Sequence, residues 1–443
     1  MTIRTNHDND RSRTFGKVLE QRFERRSLIG GLMKAIPATA LMGSGQARAA
    51  SPEELARKAA PASPAAKRDS RIQFKAIKLN KEDSVQAAEG YKTKVLLKWG
   101  DPLFTDSPAF DPLNQTADAQ AKQFGYNNDW MGYFPLPAHD SDNPRHGLLT
   151  VNHEYTNPEL MFRNHGGFTG QTAEQTAIEL QAHGVSVVEV MRDNSGEWSY
   201  VPGSRYNRRI TATTPMQITG PAAGSPRLRT SADPTGRRVL GCLNNCSGGQ
   251  TPWGTILTAE ENFHQYFSNA SAVSSAADRA IHAGYGMPTG NGEYPWARHV
   301  DRFDMAKEPN EAFRFGWVVE IDPYQPQAVP KKRTALGRVR HEACNIEVAR
   351  SGQIVAYTGD DERFQFAYKY VSKGKLNPFD RFANDSLLDE GTLYVAKFNA
   401  DGTGEWMPLV FGQGPLTAAN GFTNQADVLI NTRGAAALLG ATK

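Results

Sequence analysis

Short apolar runs of strand character recur along the chain between glycine-, proline- and asparagine-rich turn signals, the punctuation expected of a β protein. They predict strands over Lys94–Trp99, Gly147–Asn152, Val185–Val190, Gly254–Thr258, Gly316–Ile321, Gln353–Thr358, Phe366–Val371 and Gly391–Phe398. A hairpin is predicted where Thr392–Phe398 meets Glu405–Val410 across the turn Asn399–Gly404. Helical periodicity is rare and is confined to Thr172–Ala182 and Asn424–Leu439. Many short strands with long loops predict an all-β fold: a sandwich, a barrel or a propeller. The related phrases Gly316–Pro323 and Gly391–Phe398 read as equivalent blade strands and favour a β-propeller with long loops and a few short helices, although no strict repeat period accompanies them.

Composition supports that class, since 40 glycines and 26 prolines suit a turn-rich chain. At 443 residues the chain can build one large core or two ordinary ones. The net charge of +3 is misleading, because the basic surplus lies within residues 1–48 and the remainder is slightly acidic. Such a body lacks the clustered basic face of a nucleic-acid binder. No run approaches the roughly 18 apolar residues of a membrane span.

The basic N-terminus reads as an address. Arg25-Arg26-Ser27-Leu28-Ile29 precedes a weakly apolar run, Leu28–Met42, that includes Lys34, and Ala47-Arg48-Ala49 follows as a cleavage site. We therefore expect residues 1–49 to be a twin-arginine signal peptide, 50–90 a linker and the start of the mature chain, and 91–443 the principal domain. This predicts one passing partner, the twin-arginine translocon during export, and a periplasmic or secreted destination. The route carries folded proteins, often with their cofactors already in place.

Four acidic clusters lie at strand ends or in glycine-rich turns: Asn152-His153-Glu154-Tyr155; Cys246–Thr255 with Glu260-Glu261-Asn262 behind it; Arg340-His341-Glu342; and Gly359-Asp360-Asp361-Glu362. Adjacent carboxylates repel and are costly to bury without a cation. One such pair at a strand end is ordinarily just solvated; four of them raise the case for metal ligation. Hard cations such as calcium take six to eight oxygens, and Asn152 and Glu154, two apart on a strand, share a face. Cys246 is a soft ligand that points to iron or zinc, against its competing reading as a buried thiol or half of a disulfide with Cys242 or Cys344. His153 and His341 are weaker ligand candidates. No Gly-x-Ser-x-Gly elbow, His-Glu-x-x-His or phosphate loop is present.

The phrase Cys246-Ser247-Gly248-Gly249-Gln250-Thr251-Pro252-Trp253-Gly254-Thr255, with Glu260-Glu261-Asn262, closely resembles the signature of the PhoX family of bacterial alkaline phosphatases. So do Asn152-His153-Glu154-Tyr155, His341-Glu342 and Tyr357–Phe364, and the resemblance runs from about Lys94 onward. It implies a β-propeller that binds iron and calcium and hydrolyses phosphate monoesters outside the cytoplasm, scavenging phosphate. Carried over motif by motif, Cys246 and Glu342 would be ligands on the iron side. Asn152, Glu154, Glu260, Glu261, Asp360 and Asp361 would be further ligands, mostly of calcium. Members of the family run on past the position of Lys443, so the resemblance implies an incomplete propeller lacking its C-terminal blades, with weak metal retention and low turnover for the sequence as it stands.

No side-chain nucleophile stands out. The resemblance leaves a metal-bound oxide or hydroxide as the expected attacking group, and Arg340 and Arg363 as phosphate-binding candidates by charge and position. A monomer acting on small-molecule phosphate monoesters is expected. Two rivals remain open at this level: another calcium-dependent propeller hydrolase, of phytase or lactonase type, and a non-enzymatic exported calcium-binding propeller. A thiolate-held iron would disfavour both.

Overall fold

The structure, a computed structural model, describes residues 74–138 and 142–442. The predicted signal peptide and the linker as far as residue 73 lie outside the described residues. The chain divides into two units, one running to Thr93 and the other spanning Lys94–Lys443. The described residues of the first carry no helix or strand, and there Phe74 meets Tyr91 edge to face at 6.4 Å.

Among the described residues the second unit is mostly β, with three sheets. The first holds β1 (Asn128–Pro135), β2 (His146–His153), β3 (Gly184–Arg192), β4 (Trp198–Tyr200) and β5 (Arg208–Ile210), all antiparallel, with β4 and β5 both pairing β3. The second holds β6 (Pro215–Thr219), β7 (Arg238–Leu240), β8 (Asn245–Gln250), β9 (Ile256–Glu260), β10 (Val318–Ile321) and β11 (Lys331–Arg333), in the order β7-β6-β11-β10-β9-β8. Only the β6–β11 pairing is parallel in that sheet. The third is a meander of β12 (Asn345–Val348), β13 (Gln353–Gly359), β14 (Ala367–Lys375), β15 (Gly391–Phe398) and β16 (Gly404–Pro408).

β3 reads as a continuous apolar run because both of its faces are covered: Val185 and Val187 join the main core, and Val188 packs with Leu103, Phe124 and Val151. The main core links the first two sheets through Leu148, Ile218, Ile256, Trp296 and Trp317. A second core lies against the third sheet, where Ile354, Tyr368, Leu393 and Val395 meet Leu429. Each such side chain contributes roughly 1.5–3 kcal/mol of burial.

Two expected elements differ. Lys94–Trp99 is not a strand: the Lys98 amide donates to the Asp101 carboxylate at 2.9 Å and the Trp99 indole to Gln120 at 2.6 Å, so the segment anchors by its side chains with no strand beside it. The helix at Thr172–Ala182 forms as α1 (Ala173–Ala182), opened by a capping box between Thr172 and Gln175. α2 (Ala276–Gly284) was not foreseen. The C-terminal helix is two, α3 (Gln425–Ile430) and α4 (Thr432–Leu438), because Asn431 leaves helical geometry and its side chain caps Gly434. Among the described residues no helix is long and apolar enough to cross a membrane.

Candidate metal centre

Strand ends from all three sheets bring acidic groups to one place. Cys246 on β8 and Glu261, just past β9, are buried, and they share a site with the exposed Glu342: one ligand atom from each lies within 4.8 Å of the others. The Cys246 Sγ is 4.0 Å from Glu342 Oε2 and 3.5 Å from the His341 carbonyl. Glu154, just past β2, and Asp129 on β1 hydrogen-bond through their side chains, and both act electrostatically on this group. Asp361, past β13, is coupled in the same way to Glu342 and Glu261. The floor is therefore a thiol and a buried carboxyl, and the rim is Glu154, Glu342, Asp129 and Asp361, the last three exposed.

Glycine is required beneath the thiol. A Cβ on Gly249 would collide with the Cys344 carbonyl, so only glycine lets β8 lie this close to the start of β12.

The electrostatics show what such a site can hold. Burial, then Asp129 and Glu261, push the Glu154 carboxyl up to about 8. Burial raises Glu261 to about 7, with Glu342 and Asp361 adding to it. Burial and the charges of Glu261 and Glu342 drive the Cys246 thiol far above its usual range. Among the described residues none of these carboxylates is ion-paired with a lysine or arginine. Five carboxyls and a thiol, converging with no lysine or arginine ion-paired to them among the described residues and only Arg340 nearby, fit cations, with the soft sulfur at the floor and hard oxygens around it.

The same numbers fix a pH dependence. A carboxyl whose proton affinity rises on folding stabilises the fold fully below its unfolded value, near 4.5, and loses that contribution as pH climbs through the folded value, here about 7 for Glu261 and about 8 for Glu154. The metal-free chain should therefore melt at a lower temperature at pH 8.5 than at pH 5.5. Added metal should reverse that slope, because binding displaces protons. Calorimetry with chelator and then with metal checks this, and a metal-free melting point that rises with pH contradicts it.

Three of the eight residues expected as ligands are placed elsewhere. Glu260 points away from its neighbour into the core, where it pairs with Lys332 at 2.8 Å and accepts from the amides of Leu243, Gly316 and Trp317. Asp360 forms a two-pronged ion pair with Arg433 at 2.6 and 2.5 Å. Asn152 is buried and donates to the carbonyls of Cys246 and Ser247, each at 3.0 Å, while accepting from Thr258. It positions the Cys246 strand and does not face the cluster. In the two adjacent acidic pairs, successive residues point to opposite faces, so one member turns inward; Asn152 lies within β2 and Glu154 just past its end, so the shared face expected of those two does not hold.

Of the arginines, Arg340 is buried beside the cluster and paired with Glu362, and Arg363 is exposed. All three cysteines are free and buried. His153 and His341 are buried and hydrogen-bonded to Ser186 and Thr358. Asp129 was missed: it stands alone in Tyr126-Asn127-Asn128-Asp129-Trp130, with no acidic neighbour to mark it. A cavity of about 610 Å³ lined by Trp253, Tyr324 and Arg381 includes none of the cluster residues.

No curated protein sequence matches the chain. Among solved structures, PhoX of Pseudomonas fluorescens, in complex with vanadate, a transition state analogue, is similar with a TM-score of 0.78 and 46% identity, over 84% of this chain. The chain spans 64% of that protein's length. The family model described as alkaline phosphatase PhoX matches residues 72–443. The chain belongs to the PhoX alkaline phosphatase family.

Proposed function

We propose that the chain is a metal-dependent phosphomonoesterase, an alkaline phosphatase that releases phosphate from small phosphate esters. One observation carries the reading: a thiol and five carboxyls from three sheets meet with no lysine or arginine ion-paired to them among the described residues, in a chain similar to a PhoX in complex with vanadate, a transition state analogue. Iron is the metal we assign to the Cys246 side, with Glu261 and Glu342 beside it, and calcium to the oxygen-rich rim of Asp129, Glu154 and Asp361. Bound there, the cations would supply Lewis-acid stabilisation to the phosphoryl oxygens.

The chain's own residues prepare the site. Asn152 holds the carbonyls of Cys246 and Ser247, which fixes the thiol on the floor. Glu260, anchored by Lys332 and three amides, fixes the backbone from which Glu261 faces the cluster. Arg340 places a buried positive charge beside Glu261, where it can neutralise a phosphoryl oxygen. The three sheets are blades of a β-propeller in this reading, and the strand ends that carry the ligands lie near its axis.

The reading also includes export. Arg25-Arg26 would direct the folded chain through the twin-arginine translocon to the periplasm or beyond. Replacing both arginines with lysine should leave the protein in the cytoplasm, and fractionation followed by immunoblotting shows whether it does. Normal export of that variant contradicts the address. The activity itself is tested with p-nitrophenyl phosphate on chain purified with iron and calcium supplied. Metal-dependent release of phosphate is expected, and a metal-loaded chain with no hydrolysis contradicts the assignment.

A further inference from the structure

Glu154 on the rim of the cluster is followed directly by Tyr155, which lines a separate cavity of about 230 Å³. Phe168 and Tyr294 share its aromatic wall. Tyr294 ties the cavity to the cluster a second time: its ring stacks at 4.7 Å on Tyr266, which is buried within the field of Glu154. Two carboxylates, Glu159 and Glu293, line the same cavity. Both are exposed, and among the described residues neither is ion-paired with a lysine or arginine. Arg298 is engaged with the Phe168 carbonyl, 2.7 Å away, and does not line the cavity.

The deep wall adds an independent observation. Gln171, also lining the cavity, is 2% exposed. Its Nε2 donates to the Thr176 hydroxyl at 3.0 Å and to the Glu179 carboxylate, and its Oε1 has no partner. Glu179 is held in turn by the Thr156 hydroxyl at 2.7 Å and the Trp296 indole at 3.0 Å. The amide is thereby fixed with its oxygen uncommitted. His165, on the same wall, has an unpartnered Nε2 as well. A buried acceptor without a donor is costly and calls for a ligand that supplies one. Two carboxylates, an unused amide oxygen and three aromatic rings suit a small cation that carries N–H groups. A primary ammonium offers three donors and no acceptor, and aromatic faces attract its charge.

Resting on the phosphatase reading, we propose that this cavity receives the alcohol part of the substrate, and that the preferred esters are phosphates of amino alcohols. With the phosphoryl group at the metal cluster, the ammonium is held by Glu159 and Glu293 and donates to Gln171 Oε1. These groups touch the ester away from the P–O bond that breaks, so their effect falls on KM more than on kcat.

The test uses the full chain loaded with iron and calcium. The probes are aminoalkyl phosphates with spacers of about two to six carbons, a range set by the one-residue step of roughly 3.8 Å from Glu154 to Tyr155 and the depth beyond it, each paired with the alkyl phosphate of equal length. In the wild-type chain kcat/KM for the ammonium ester should exceed that for its neutral counterpart by about 5- to 100-fold at the best spacer, the scale of two exposed ion pairs and a cation–π contact. Glu159→Gln combined with Glu293→Gln should bring that ratio close to one, mainly through KM. The ratio compares two esters on one protein, so a general loss of activity in the variant cancels. If the double variant does not fold, the single variants decide: each must lower the ratio, and two that leave it unchanged overturn the proposal. Phe168→Leu should lower it by about 2- to 5-fold through the lost ring. A wild-type ratio near one at every spacer overturns this proposal and leaves the phosphatase reading standing, as does a high ratio that the carboxylate variants do not change. Metal-loaded wild-type chain that hydrolyses none of these esters overturns both.

Discussion

Cys246→Ser is expected to remove the iron from the chain and to lower phosphomonoester turnover by more than about 100-fold, since losing a ligand costs more than the 10- to 100-fold loss of an outer-shell partner. The thiol sits on a buried floor, within 4.8 Å of ligand atoms of Glu261 and Glu342. Burial and those two carboxyls hold its proton tightly, so only a bound cation makes the thiolate accessible. A serine hydroxyl is harder and far less acidic, and it cannot take that role for a soft metal. The fold should survive, because the hydroxyl can donate to the carbonyl of His341 that now lies 3.5 Å from sulfur. Mass spectrometry for metals, visible absorbance and the melting point of the metal-free variant read the three parts separately. Unchanged iron content would make Cys246 a packing residue.

Lys332→Met is expected to be the most destabilising single change in the site's support, costing roughly 3–5 kcal/mol, the penalty for leaving a buried charge without its partner. Lys332 and Glu260 are both fully buried, 2.8 Å apart, and the ammonium also lies 3.8 Å from the centre of the Phe315 ring. Adding Glu260→Gln to Lys332→Met should recover most of the loss, because no unpaired charge remains. The Glu260→Gln variant should bind as much metal per folded molecule as the wild type, since Glu260 faces the core. Chemical denaturation of the single and double variants measures the first claim. A Glu260→Gln protein that folds normally but loses metal would restore Glu260 to the ligand set.

The acidic pairs show both what could be read from the sequence and where the reading stopped. Glu260-Glu261 and Asp360-Asp361 lie at strand ends, as their sequence context indicates, but adjacency in sequence does not bring both members to the cluster. The strand period of two sends Glu261 and Asp361 to the cluster and turns Glu260 and Asp360 toward Lys332 and Arg433. Those basic partners lie 72 and 73 residues further along, too far apart in sequence for any local pattern to reveal. Strands of alternating or continuous apolar character, such as β3, β13 and β15, were legible. β8 was not: Asn245–Gln250 contains a Ser-Gly-Gly core without the apolar alternation of a strand, yet it pairs antiparallel with β9, and Gly249 admits the close approach of the Cys344 carbonyl. The motif around Cys246 was legible as chemistry before it was legible as a strand. Asp129 could be found only in three dimensions, through its hydrogen bond with Glu154.

The central claim is that this cluster holds metals and that the metals carry phosphate ester hydrolysis. The most direct measurement strips the purified chain with chelator, returns iron and calcium stepwise, and records bound metal per chain against the rate of p-nitrophenyl phosphate hydrolysis. The account predicts no hydrolysis in the stripped chain and a rate that rises in proportion to metal bound, with the Cys246→Ser chain failing to recover. Hydrolysis that persists without metal, or that returns equally in the Cys246→Ser chain, would contradict it.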